Sequence, residues 1–165
     1  MLKKTILLTS LFAGLILLWG CPYTSIVPLG KPVELIRPEL IGSWMPENEL
    51  TQENPAYYTI EKFDSVRYAI AHYQYNADAE DYSIKNYVAH TTSLGGLLFL
   101  NMNESGTQQY SLHRIDLVPS GLVLFEVTDN IDEQFETSAE MQAFFLKNMH
   151  LSFFYSKDEV SLIRK

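Results

Sequence analysis

Val66-Arg67-Tyr68-Ala69-Ile70-Ala71-His72-Tyr73-Gln74-Tyr75, followed by the polar Asn76–Asp81 and then by Tyr82–Thr91, is the stretch that decides the fold class. Two runs rich in aromatic and β-branched residues, separated by a short turn signal, predict an antiparallel hairpin. In the first run Val66, Tyr68, Ile70 and His72 share one face, while Arg67, Ala69, Ala71, Tyr73 and Tyr75 share the other. Both faces are partly apolar, which predicts a strand covered on two sides.

The same pattern continues in both directions. Upstream stand candidate strands over Leu40–Met45 and Ala56–Phe63, the latter joined to Val66 by the tight Asp64-Ser65 turn. Downstream, Gly95-Gly96 breaks the chain before Leu97–Met102, and Asn103 to Gly106 turns it into Gln109–Val118. Pro119-Ser120-Gly121 leads to Leu122–Thr128. Strands at such short spacing predict an antiparallel meander, closed as a barrel or forming a strongly curved sheet. The ten Tyr and nine Phe favour strands over helices.

One helix is expected. Thr137-Ser138-Ala139-Glu140 has the form of a capping box, and Met141, Phe144 and Phe145 recur at helical spacing, so one stripe should pack on the sheet. A last strand segment, His150–Tyr155, then turns and continues as Val160–Ile163. Residues 39–165 thus read as a single β domain with one short helix before its last strands, large enough to hold its own core.

The N-terminus has a different character. Lys3 and Lys4 precede an apolar run from Thr5 to Trp19, which ends on Gly20 and Cys21. A short cationic region, an apolar run of this length and a small residue before the cut mark a secretory signal over residues 1–20. Leu18-Trp19-Gly20-Cys21 resembles the lipobox of bacterial lipoproteins. The resemblance implies cleavage between Gly20 and Cys21, alkylation of the Cys21 thiol by a diacylglyceryl group, and acylation of the new amine by a fatty acid such as palmitate. The expected location is the bacterial cell envelope, on the outer membrane if the cell is Gram-negative, with the membrane as a partner through the lipid. Two or more chains are needed for stable anchoring, since one binds marginally. Cys21 is the only cysteine, so stability must come from the core and not from an intrachain disulfide. Residues 22–38 carry Pro22, Pro28, Pro32 and Pro38 and predict a semi-rigid tether of roughly 50 Å if fully extended. Part of it can lie on the domain, because Val33, Leu35 and Ile36 are apolar.

Removing residues 1–20 takes away Lys3 and Lys4 and no acids, which leaves a formal charge of −10. Such a surface repels phosphate backbones, so nucleic acid is not an expected partner. Leu40-Ile41-Gly42-Ser43-Trp44 resembles the opening of lipocalin and lipocalin-like chains, where Gly permits a close approach and Trp plugs one end of a barrel. The resemblance implies structural roles for Gly42 and Trp44 and a ligand held inside the barrel.

Tyr68, Tyr87 and Tyr110 are the candidate ligand contacts, their hydroxyls orienting a partly apolar molecule; aromatic side chains that simply fill the barrel are the simpler alternative. His72, His90 and His113 fall on three successive strands, but without register they read as ordinary hydrogen-bonded histidines, and no metal or cofactor is expected. The sequence has no Gly-x-Ser-x-Gly elbow, no His-Glu-x-x-His and no phosphate-binding glycine loop, so a non-enzymatic role is expected. Two functions follow. The first is binding of a small apolar or amphipathic ligand within the barrel. The alternative is an interaction or envelope-assembly module that contacts other envelope proteins through strand edges and aromatic patches.

Overall fold

The computed structural model describes residues 23–128 and 130–165. Leu18, Gly20 and Cys21 lie outside the described residues, as does the rest of the signal segment. Among the described residues nine strands run in chain order: β1 Thr24–Ser25, β2 Gly42–Pro46, β3 Tyr57–Lys62, β4 Tyr68–Asn76, β5 Asp81–Leu94, β6 Leu97–Glu104, β7 Tyr110–Val118, β8 Gly121–Glu126 and β9 Val160–Arg164. Strands β2 to β8 pair in sequence, β9 follows β8, and β9 returns to β2 through Trp44↔Arg164 and Met45↔Ile163. The result is a closed eight-stranded antiparallel barrel. Short β1 adds to β7 beyond the end of β8, opposite Tyr110 and Ser111.

The hairpins form for local reasons. Asp64 Oδ1 accepts from the amides of Val66 and Arg67 at 2.9 and 2.8 Å, which builds the turn between β3 and β4. Gly95 and Gly96 both have positive φ, 57° and 83°, as a two-residue turn matched to strand twist requires. The β5–β6 ladder continues right up to this turn, ending at Leu94↔Leu97.

Period-2 alternation then sorts the side chains into two cores. Tyr68, Ile70, Ala89, Leu100, Ile115, Leu122 and Leu162 pack inside the barrel with Trp44 and Ile60. A 3-10 turn, Pro38–Leu40, closes one end and buries Leu40. The outward residues Phe99 and Leu112 belong to a second core with Met141 and Phe145 of helix α1, Ser138–Asn148, and with Met149 at its C-terminal cap. Thr137 caps that helix by accepting from the Glu140 amide while the Glu140 carboxylate reaches back to the Thr137 amide.

Two expectations are corrected. His150–Tyr155 is not a strand: Ser152–Phe154 forms a 3-10 turn, and only Tyr155 makes a bridge, to Val127. Phe154 is drawn into the second core, where it meets Phe145 edge-on at 4.8 Å, and burial of that ring outweighs β propensity. The second correction concerns the tether. The segment does not stand off as a spacer: residues 23–35 are strapped along the outside of the barrel and residues 36–41 cross its closed end. The Tyr23 amide donates to the Val127 carbonyl, the Leu29 amide to Asn101 Oδ1 at 2.6 Å, and the Ile36 amide to the Ser65 carbonyl. Ser138 and Gln142 of α1 donate to the carbonyls of Pro28 and Leu29. The extended backbone that prolines favour leaves its carbonyls free for such partners, and Leu29 is fully buried. Of the apolar residues noted in this segment, Ile36 packs against the barrel core, while Val33 and Leu35 are exposed.

Candidate functional site

The inward side of the barrel is divided along its axis. At the closed end the residues are apolar, and the space among Leu40, Ile60, Tyr68, Ile70, Leu100 and Ile115 is only about 30 Å³. That holds one or two waters at most, and an apolar space of this size stays dry. Bulky Trp44, Tyr68 and the branched aliphatics fill the rest, as small barrels require.

At the open end the inward residues become polar. Tyr58 on β3, His72 on β4, Lys85 and Tyr87 on β5, Glu104 on β6, Ser111 and His113 on β7 and Glu126 on β8 surround a cleft of about 360 Å³, with Thr24 of β1 in its wall. Met102 and Leu124 contribute apolar contact area to the same lining. Period 2 puts these groups there. His72 follows Ile70 on the inner face of β4, His113 lies between Ser111 and Ile115 on β7, and Glu126 follows Leu124 on β8.

Burial sets the charge states of this cleft. His113 is pushed down to about 4 by burial in the wall, so its imidazole is neutral at physiological pH. His72 is also lowered, first by burial and then by the Lys85 ammonium, and its ring stacks on Tyr58 with centroids 4.2 Å apart. The Tyr58 hydroxyl is pushed up to about 12 by burial, with Tyr87, Glu49 and Glu126 adding to the effect. Tyr87 is raised by burial and then by Glu104. Burial raises Glu126 above the usual carboxylate range. Among the described residues, its carboxylate has no hydrogen-bond or ion-pair partner, although its cross-strand neighbour is His113.

The three candidate tyrosines are separated by the fold. Tyr87 lines the cleft. Tyr68 is wholly buried below it, and its hydroxyl accepts from the Arg37 amide at 2.7 Å, which ties it to the strap. Tyr110 points outward, packs against the second core and meets His90 edge-on. The histidines separate likewise. His72 and His113 face the cleft, whereas His90 lies on the outward face of β5, buried beneath the strap, where its Nε2–H donates to the Gly30 carbonyl at 2.7 Å. No cluster of three or more His, Cys, Asp or Glu suited to a metal occurs among the described residues.

Trp44 is buried at the closed end, where its Nε1–H donates to the Leu40 carbonyl at 2.9 Å. The Arg164 guanidinium lies 4.5 Å from its ring centroid and donates to the carbonyls of Ile41 and Glu39. Gly42 has a φ of 144°, a conformation that residues with a Cβ rarely adopt, and a Cβ there would also displace that guanidinium. Arg164 was not legible from spacing, because it comes from the far end of the chain. Glu104, Glu126, Lys85 and Ser111 also escaped sequence reading: single polar residues in strands look like solvent-facing positions until the register is known. On the outer surface, Tyr57 stacks on Tyr73 at 4.4 Å, and Tyr82 meets Tyr57, Tyr73 and Tyr75 edge-on. No protein-family model matches the chain, and no significant match is found among curated proteins or solved structures.

Proposed function

We propose that this chain is a lipid-anchored lipoprotein of the bacterial cell envelope whose lipocalin-like barrel binds a small amphipathic ligand in its open mouth, without catalysis. The observation that carries the reading is the division of the barrel: a filled apolar end beneath an open polar cleft of about 360 Å³. That volume is in the range of small-molecule sites, and its mixed lining offers hydrogen-bonding groups together with Met102, Leu124 and the tyrosine rings. The apolar end has no room for a hydrocarbon tail. The ligand is therefore compact, and it lies across the mouth.

The position of the strap supports a link between anchor and cleft. Cys21 precedes the docked Tyr23 by two residues, about 7 Å of extended chain, and Thr24 is already part of the cleft wall. A lipid on Cys21 would hold the mouth near the bilayer surface and not a tether's length away.

The test is native mass spectrometry of the full-length protein extracted from envelopes, compared with Ser111→Trp, which fills the cleft. A small molecule that co-purifies with the natural chain and is lost from the variant is the expected result. A chain that retains nothing, or a molecule retained equally by both, overturns the reading. A second reading, an interaction module, is favoured by the outer cluster of Tyr57, Tyr73, Tyr75 and Tyr82. Closure of β9 onto β2 removes the free barrel edge that this module was expected to use.

A further inference from the structure

We infer that the ligand of the mouth is a small organic cation, an amine or quaternary ammonium, held by Glu126 beside the rings of Tyr58 and Tyr87. This rests on the reading of the mouth as a ligand site and names the chemistry of its occupant.

The first argument is charge. The lining contains two carboxylates, Glu104 and Glu126, against one ammonium, Lys85. Lys85 stands on β5, three strands from Glu126 on β8, and the two form no ion pair. His72 and His113 are neutral at physiological pH and bring no compensating charge. Glu49 adds further negative potential at Tyr58 and His72. The cleft is thus negative on its β8 side.

The second argument is the unmet carboxylate. Burial makes the charged form of Glu126 costly, and a cation beside it offsets that cost. His113, opposite Glu126, has little tendency to supply a proton, and Tyr58 offers a hydroxyl that stays neutral. A cation from outside satisfies Glu126 where the protein does not.

The third argument is the aromatic surface. Tyrosine faces attract cations through the ring quadrupole, more strongly when water is excluded. Both Tyr58 and Tyr87 line the cleft, Tyr58 with one face already covered by His72, and Met102 and Leu124 accept the short apolar part of the molecule. The filled barrel below sets a limit on length.

The experiment titrates full-length protein with n-butylammonium, tetramethylammonium, n-butanol and butyrate, read by NMR shifts of the His113 and Tyr87 resonances. Saturable shifts with the two cations are expected, together with at least tenfold weaker binding of n-butanol and butyrate. Glu126→Gln should weaken the cations tenfold or more while leaving the melting temperature equal or higher. Glu104→Gln gives a second variant in the same lining, with a smaller loss expected. Butyrate or n-butanol binding as tightly as the cations, or Glu126→Gln without effect, overturns the cation while the mouth remains a ligand site. Absence of shifts with all four probes overturns the cation as well. The mass-spectrometric comparison with Ser111→Trp then decides separately whether the mouth holds any ligand.

Discussion

Trp44 and His113 show how a single side chain serves opposite ends of the same barrel. Trp44 is 2% exposed, bonded through its indole to Leu40 and covered by Arg164. Trp44→Ala should therefore cost about 3–5 kcal/mol in denaturant unfolding; a loss below about 1 kcal/mol would mean that it does not plug the barrel. His113 predicts a pH dependence. Its imidazole titrates near 6.5 when unfolded and near 4 when folded, because burial disfavours the charged form. Between those values the unfolded chain binds a proton that the folded chain does not. Stability is thus fully present above about pH 6.5 and falls by about 2–3 kcal/mol as pH drops to 4. Glu126, with its raised pKa, acts in the opposite sense, since acidification relieves its buried charge. Unfolding of His113→Gln between pH 7 and 4 isolates the first effect: the variant should lose less stability than the natural chain over that window, and an equal loss would refute the assignment.

At the scale of elements, the strap is the least expected feature, and one of its several ties is a buried polar side chain. Asn101 is completely buried on the outward face of β6. Its Oδ1 accepts from the Leu29 amide, and its Nδ2 donates to the His90 carbonyl and Thr92 Oγ1. Asn101→Ala leaves the Leu29 amide buried without an acceptor, and each such loss costs about 1–3 kcal/mol. The expected result is destabilisation of about 2–4 kcal/mol, with faster amide exchange at Leu29 and Tyr23; unchanged exchange would show that the strap is held by its other contacts. Helix α1 was legible because its capping box and its Met141–Phe144–Phe145 stripe are local signals, and Met141 and Phe145 are indeed buried. The 3-10 turn at Ser152–Phe154 was not, because the same aromatic residues suit a strand and only the neighbouring helix decides between them.

Over the whole molecule, the strap changes what a lipid on Cys21 would do. A free tether of seventeen residues would decouple the barrel from the bilayer, whereas a docked one keeps them together. Cys21→Ser should shift the protein from the membrane to the soluble fraction of cell extracts, because it removes the thiol that would carry the lipid; unchanged fractionation would refute the lipid anchor. The sequence by itself determined the meander of β2 to β8, its turns and helix α1, because period-2 alternation, turn residues and caps act between near neighbours. It also marked Trp44 and Gly42. Only the tertiary structure decided that β9 closes on β2, that residues 23–41 wrap the barrel, and that Tyr58, Tyr87, His113 and Glu126 meet in one mouth while Tyr68 and Tyr110 do not. The reason is register. Which face of a strand points inward, and at what height, is set by pairing with partners that can lie more than a hundred residues away, as Trp44 and Arg164 do, and a one-residue shift would exchange the polar mouth for the outer surface.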